Sequence, residues 1–312
     1  MRNLLLAVAV IGVGGYFGTK FYVQHKAAQD LDALLDQVRP FVDIEYGQVV
    51  ATINGELRVE DVTVHMPQFR DRLTIDSVGL LTPGFLFLFG FDRSKLEFPE
   101  YLGVEMRGMH ANVDADFMRT FDDLYETQTA AVELTAADRC ASTYGMTPAA
   151  LKRLGYHEVV MDFRMSFRQD AGRLVMQVGA DIEDMYAFDV EATFEGLADP
   201  TAMARGARPL LVGGRLDYVD QSLNERVLKH CADQQVTRED VIAAQVREIQ
   251  AVALDSGVEL DAMLLEPYTD FLAGKQRFTL TSAPHKPVDL TRVSLYKPSD
   301  VPNLLNLTAE AG

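Results

Sequence analysis

Apolar and polar residues alternate with a period of two along two long stretches of the chain. The first covers residues 42–80 and contains an Asn54-Gly55 turn, and the second covers residues 159–194. Alternation of this kind is typical of strands that bury one face and leave the other in water. Asn-Gly between two such runs is a strong hairpin signal. The pattern therefore predicts two antiparallel β-meanders, the second with turns at Asp170-Ala171-Gly172 and near Glu183-Asp184.

Helical periodicity fills the segments around these meanders. Apolar residues recur there every three to four positions, between capping residues and Gly or Pro. Ser222 and Thr237 are each followed, three residues later, by an acidic side chain, as in a capping box. The predicted helices cover 27–39, Thr147 to Gly155, the segment after Ser222, Thr237 to Val252, and 260–271, and terminal strands are predicted near Phe278–Leu280 and Val288–Leu295.

The first residues form the longest apolar run of the chain. Between Leu4 and Val23 the only charged side chain is Lys20, and a membrane-spanning helix needs roughly 17–25 apolar residues. The run predicts a transmembrane anchor. A cleaved secretory signal is the alternative, with its cleavage site near Ala27-Ala28. Positive charges flank both ends, so the prediction of a periplasmic body rests on the shortness of the N-terminal tail.

Together these elements predict an α+β fold. An N-terminal transmembrane helix is followed by antiparallel β-meanders, forming a curved sheet or groove, packed with helices. The predicted anchor covers 1–26. Residues 27–155 hold the stalk helix, the first meander and helices, and residues 156–312 hold the second meander, a helical segment and terminal strands. A single domain over 27–312 is the alternative.

Charge narrows the range of partners. The 312-residue chain carries a formal net charge of −17, which disfavours nucleic acid and anionic lipid head groups as partners of the surface as a whole. We therefore predict no nucleic-acid partner.

The two cysteines occupy matching places in the pattern. Cys140 and Cys231 each lie near the end of one predicted helix, shortly before a second helix that Thr147 or Thr237 caps. A matched pair forms a disulfide in an oxidising compartment. We predict a Cys140–Cys231 disulfide, and two buried free thiols are the alternative.

Motifs for catalysis are missing from the sequence. The six histidines are scattered without a metal-binding spacing, and neither a nucleophile elbow nor a phosphate-binding loop occurs. Asp220 precedes the helix after Ser222, where a carboxylate supports a helix start. That role is favoured over a functional carboxylate. We predict no enzyme activity, no catalytic residue, no metal and no cofactor.

Two apolar segments suggest a binding surface. Residues 85–91 are apolar at nearly every position, so both faces of a strand there would be apolar. They form either a buried strand or a surface for lipid or a partner. The second meander adds a methionine-rich face, and methionine suits adaptable apolar contacts as well as core filling. The predicted ligand-binding residues are Phe85, Phe87, Phe89, Phe91, Met161, Phe163, Met165, Phe167 and Met176.

Two strand phrases carry a family resemblance. Residues 55–64, followed by 73–78, resemble the repeated phrase of AsmA-like bacterial envelope proteins. The second meander and residues 216–226 are similar to the YdgA-like group of anchored envelope proteins. The resemblance covers about residues 1–110 and 155–230 and implies an inner-membrane-anchored, periplasmic, β-rich protein associated with lipid handling. It implies no catalytic residue.

These observations predict a non-enzymatic envelope protein. It is expected to be a single-pass inner-membrane protein with its body in the periplasm, binding lipid or another hydrophobic ligand in a β-sheet groove. The alternative is a scaffold that assists a membrane-associated secretion or assembly complex through its acidic body. The expected partners are the membrane, a hydrophobic ligand and an envelope protein. A hydrolase with a cryptic site ranks third.

Overall fold

A computed structural model describes residues 20, 22–33, 35–36, 39, 42–52, 54–66, 71–84, 87, 99–120, 135–197, 199, 202 and 206–312. The chain divides into two compact units, Met1–Met109 and His110–Gly312. The division falls before the predicted boundary at 155/156. Residues 135–155 belong to the second unit because Cys140 is bonded to Cys231 there.

The first unit is built from antiparallel strands. Its longest pair is β3 with β4, and β1 and β2 each pair with β3. Residues 22–33 and 35–36 are helical, so the predicted stalk helix is present over part of its length. The strands are β1 (Asp43–Glu45), β2 (Gln48–Ala51), β3 (Glu56–Met66), β4 (Asp71–Leu81) and β5 (Tyr101–Asn112), which runs across the division at Met109.

The predicted hairpin turn at Asn54-Gly55 is confirmed. Gly55 has a φ of 85°, a conformation that residues with a Cβ rarely adopt. A Cβ at this position would also lie 2.5 Å from the backbone of Gly84. The Thr82 hydroxyl donates a 2.7 Å hydrogen bond to the Gly55 carbonyl. Glycine is therefore required here both for the turn and for the close approach of the Gly84 backbone.

The second unit contains the second meander and further strands. Its strand order is β6-β7-β8-β9-β10-β12, and β11 pairs with β9. The predicted turns after β6 and β7 are confirmed, since Ala171, Gly172 and Asp184 all have positive φ. The strands are β6 (Glu158–Asp170), β7 (Arg173–Ile182), β8 (Tyr186–Glu195), β9 (Leu210–Asp220), β10 (Arg277–Ser282), β11 (Val288–Asp289) and β12 (Leu307–Ala311).

The predicted fold class is wrong. In the described part of the chain the strands form one large antiparallel sheet of twelve strands with helices, rather than two separate meanders. The prediction missed β12 because the strand is short, and missed β5 because Gly103 and Gly108 interrupt its alternation. Strand edges carry unpaired N–H and C=O groups, and additional strands satisfy them.

The predicted anchor lies largely outside the described residues, which do not include 1–19. Within the part of the chain that the structure describes, none of the helices has both the length and the apolar character needed to cross a membrane.

Helices of the second unit mostly confirm the predicted segments. Thr147 caps α2 and Thr237 caps α4, each by accepting a hydrogen bond from the backbone N–H three residues later. The predicted strand over Val288–Leu295 stops after β11, because the Asp289 side chain caps a 3₁₀ helix over Leu290–Leu295. The α-helices are α1 (Ala136–Ala141), α2 (Pro148–Arg153), α3 (Leu223–Asp233), α4 (Arg238–Asp255), α5 (Ala262–Leu272) and α6 (Val301–Leu305).

The predicted cap of α3 needs a correction. The Ser222 side chain does not cap the helix, because its hydroxyl donates to the Asp184 carbonyl instead. Asp220 takes the capping role, and its Oδ1 accepts from the Asn224 backbone N–H at 3.0 Å. The predicted support of this helix start by Asp220 is confirmed.

The predicted disulfide between Cys140 and Cys231 is present. Both cysteines are buried, and they lie in the main core of the second unit. The bridge joins α1 to α3, and Val227 and Val241 are fully buried in the same core. It therefore fixes the helices to one another where the core is most tightly packed.

Candidate functional site

Strand register sorts the side chains of the second unit onto two faces. Phe188 on β8 lies opposite Tyr218 on β9, and Tyr218 lies opposite Phe278 on β10. Directly opposed residues of antiparallel strands project from the same face. The same face continues across β7 through Ala180, which lies opposite Phe163 of β6. One face of the sheet is therefore apolar from β6 to β10.

The opposite face carries charged side chains. Arg164 on β6 forms a salt bridge with Asp189 on β8, and Gln177 donates to Asp189 at 3.0 Å. On β9, Arg215 pairs with Asp217. Exposed pairs of this kind contribute at most about 1 kcal/mol each, so their main effect is to make this face polar. An apolar site is therefore expected on the other face.

Helices α4 and α5 cover the apolar face over β8, β9 and β10, and a cavity of about 610 Å³ lies under them. We call this part of the face the aromatic end, defined by Tyr186, Phe188, Tyr218 and Phe278. The cavity lies entirely within the second unit. Its helical wall includes Ile249, Ala253, Leu264 and Leu265.

Aromatic rings build the walls of the cavity. Tyr186 stacks on Tyr218 with ring centroids 5.1 Å apart, and Phe271 of α5 meets the Tyr218 ring edge-on at 5.4 Å. Tyr268 meets Phe278 edge-on at 5.7 Å. Such ring pairs add about 0.5–1.5 kcal/mol each beyond the area they bury. The strand rings and the α5 rings therefore hold each other in fixed positions around the space.

Polar side chains gather at one end of the cavity. Asn224 of α3 is buried, and its amide donates to the carbonyls of Phe271 and Leu272 at 3.3 and 3.0 Å. The Tyr144 hydroxyl donates to the amide oxygen of Asn224. Because Asp220 bonds the Asn224 backbone, these groups link α3 to the end of α5.

Burial dominates the electrostatics of this polar end. It raises the pKa of the Asp220 carboxyl, while the hydrogen bond from the Asn224 backbone lowers it and the Glu225 charge raises it further. Burial also raises the pKa of Tyr144, and the Tyr268 hydroxyl and the Asp220 charge add to that rise. Tyr144, Tyr268 and Asp220 are thus close enough to influence one another.

Five of the predicted ligand-binding residues lie on the apolar face but do not line the cavity. Met161 packs against the core that contains the disulfide. Phe167 and Met176 pack against a second group of buried residues, Leu174, Leu197 and Ala202, which we call the Leu174 cluster. The five residues are Met161, Phe163, Met165, Phe167 and Met176.

The other predicted residues belong to the first unit. Phe87 is half-buried, and its backbone N–H donates to the Gly84 carbonyl at 3.0 Å. Phe85, Phe89 and Phe91 lie outside the described residues. The binding role assigned to these four residues stays a prediction.

Sequence reasoning missed the residues that line the cavity. Each strand shows its own alternation of aromatic and polar residues, but Phe188, Tyr218 and Phe278 become neighbours only through strand pairing. A signal was present in the aromatic spacing Tyr268 and Phe271 on a helix, which places both rings on one side. In the described part of the chain no group of three His, Cys, Asp or Glu side chains is arranged to hold a metal ion.

Comparisons with known proteins add one match. A family model described as "Uncharacterized protein" matches residues 169–312, somewhat less than half of the chain. The matched part contains every cavity-lining residue except Tyr144 and Met146. A comparison with curated proteins found none that matches. These comparisons do not link the chain to the AsmA-like proteins; the chain is similar to this family over the segment that carries most of the cavity.

Proposed function

We propose that the protein binds a small apolar ligand, without catalysis, in the cavity between the aromatic end and helices α4 and α5. The single observation that carries the proposal is the cavity itself, about 610 Å³ of space lined mainly by apolar side chains. Pockets that hold small molecules measure roughly 300–1,000 Å³ and have a few polar groups in an apolar lining. The cavity matches this description in both respects.

The size of the cavity favours a particular kind of ligand. A single acyl chain or a compact ring system fits within about 610 Å³, whereas a phospholipid with two long chains needs more room. Aromatic rings on both walls offer flat surfaces for such a molecule. Of the lipid-type ligands predicted from the sequence, we therefore propose a small or single-chain molecule.

The polar groups of the cavity have structural roles that explain their presence. Asp220 caps α3, and Asn224 satisfies two carbonyls at the end of α5. A buried carboxyl or amide is stabilised when its hydrogen bonds are made in this way. A binding function thus accounts for the site without assigning a catalytic group.

The disulfide supports a location in an oxidising compartment such as the periplasm. Structural disulfides persist in exported proteins and are rare in the reducing cytosol. The Cys140–Cys231 bridge is buried within the core, where reductants have little access. The proposal therefore includes an exported body that meets its ligand outside the cytosol.

Fluorescence titration with the neutral apolar probe N-phenyl-1-naphthylamine tests the binding function. The delipidated wild-type chain is expected to bind the probe saturably. In the Ala253→Phe variant a phenyl ring occupies the cavity, so the affinity should fall by more than about ten-fold, or 1.4 kcal/mol. Ala251→Phe is the matched control, because Ala251 is exposed on the same helix. The proposal is overturned if the wild type shows no saturable binding or if both variants bind alike.

A further inference from the structure

One buried polar atom in the cavity lacks a partner. Among the described residues, Gln245 Oε1 is the buried side-chain nitrogen or oxygen atom without a hydrogen bond. Gln245 lies on α4 and lines the cavity. Native proteins satisfy nearly all buried polar atoms, and an exception inside a cavity indicates the place where a ligand supplies the missing group.

The neighbouring Tyr268 interacts with the Gln245 side chain. Burial raises the pKa of Tyr268, while the side-chain hydrogen bond from Gln245 lowers it. A hydrogen bond lowers a tyrosine pKa when it is donated to the phenolic oxygen, because it then stabilises the phenolate. Of the two polar atoms of the Gln245 amide, Oε1 is the buried one without a partner. This oxygen can only accept, so it requires a donor from the ligand.

Two acidic side chains act on the tyrosines at this part of the cavity. The Asp220 charge reaches the Tyr144 hydroxyl, and the Glu248 charge reaches the Tyr268 hydroxyl. Arg238 is the cation that influences Tyr144, and its guanidinium donates to the Ala273 carbonyl. A ligand that brought a negative charge to this end would be repelled by the two carboxylates and would lose its own hydration.

We propose that the ligand is an apolar molecule with an uncharged hydrogen-bond donor at one end, as in a long-chain alcohol, and that Gln245 Oε1 accepts this hydrogen bond. The inference rests on the proposed binding function and names the chemical class of its ligand. A fatty acid is disfavoured because its carboxylate offers acceptors only. The methyl ether of the same alcohol lacks the donor and leaves Gln245 unsatisfied.

Competition against N-phenyl-1-naphthylamine near neutral pH tests the assignment, with 1-decanol, its methyl ether and decanoate as competitors. Decanol is expected to displace the probe at about ten-fold lower concentration than the ether or decanoate, since a missing partner for a buried polar group costs about 1.4 kcal/mol. In Gln245→Met the side chain keeps its length and loses the acceptor. The decanol affinity should then fall to that of the ether.

Gln250→Met is the matched control, because Gln250 is exposed on the same helix; it should retain the preference for decanol. Equal affinities of decanol and the ether for the wild type would overturn the inference, as would a Gln245→Met variant that keeps the preference. Failure of the probe to bind the wild type at all is a different result, and it would overturn the proposed function itself.

Discussion

The apolar sheet face of the second unit is covered differently at its two ends. At the Leu174 cluster, Leu174 is completely buried under Leu197 and Ala202, with Phe167 and Met176 packed alongside. At the aromatic end, two helices lie over large rings and leave a cavity of about 610 Å³. The side chains of both ends alternate in the same way along their strands, so the strand pattern alone does not decide which end is open.

The covering elements explain the difference. Helix α4 has 18 residues and is therefore a rod of about 27 Å. A straight rod cannot follow a twisted sheet along its whole length, and rigid rings cannot spread to fill the gap that remains. At the Leu174 cluster the side chains of Leu197 and Ala202 pack directly against the strand residue Leu174. An open site therefore depends on a stiff cover over bulky residues.

Removal of the disulfide, which lies in the main core of the second unit, should produce the largest loss of stability. The double variant Cys140→Ser with Cys231→Ser loses the bridge between two residues that lie 91 positions apart. Its free energy of unfolding should therefore fall by about 4 kcal/mol. Urea denaturation followed by circular dichroism measures the change. Equal unfolding midpoints of the variant and the wild type would contradict a stabilising role.

Shortening one leucine at each end sharpens the comparison further. Leu174→Ala should destabilise the protein by about 3 kcal/mol, because it opens a void in a packed group. Leu264→Ala should cost about 2 kcal/mol, within the same range, because Leu264 already borders a cavity. Urea unfolding gives both values.

The ligand probe separates these two variants. Leu264→Ala should change the affinity for N-phenyl-1-naphthylamine, whereas Leu174→Ala should leave it unchanged when measured well below the unfolding midpoint. A loss of affinity in Leu174→Ala as large as in Leu264→Ala would show that the two ends do not act separately.

The smallest expected effect is the pH dependence of stability that Asp220 contributes. Burial raises the pKa of this carboxyl, so the folded state holds a proton that the unfolded chain has released above about pH 3.9. The stability contributed by this group therefore falls as pH rises from that value through the folded-state pKa. In Asp220→Asn this fall should disappear.

The stability difference between Asp220→Asn and the wild type should thus grow in favour of the variant with rising pH, as followed by urea unfolding at several pH values. Asp233→Asn, at an exposed position on the helix that Asp220 caps, serves as the control. A stability difference that stays constant across the pH range would show that folding does not change the pKa of Asp220.

Much of the architecture was predictable from local pattern. The turns at Gly55 and Gly172 and the caps at Thr147 and Thr237 follow from short-range chemistry. The disulfide follows from the matching places of its two cysteines in the helical pattern. The sheet as a whole was not predictable, because strand partners are chosen by contacts far apart in sequence. Strand β5 also lacks a clear alternation.

The site was predictable only in part. Met161 and Phe163 were correctly expected to face the same side, but the location of the cavity depends on where α4 and α5 lie. The hydrogen bond of the Ser222 hydroxyl likewise depends on a residue far away in the sequence. Its sequence context predicts a cap, and a distant carbonyl at Asp184 takes the hydrogen bond instead.

The Cys140–Cys231 bond has a consequence for the cavity as well as for the core. Tyr144 follows one cysteine by a single helical turn, and Asn224 lies on the same helix as the other. The bond therefore holds the segment of Tyr144 beside the helix of Asn224, next to the hydrogen bond between these two side chains. Reduction of the bond should accordingly loosen the polar end of the cavity, although the bond itself lies in the core and not in the cavity wall.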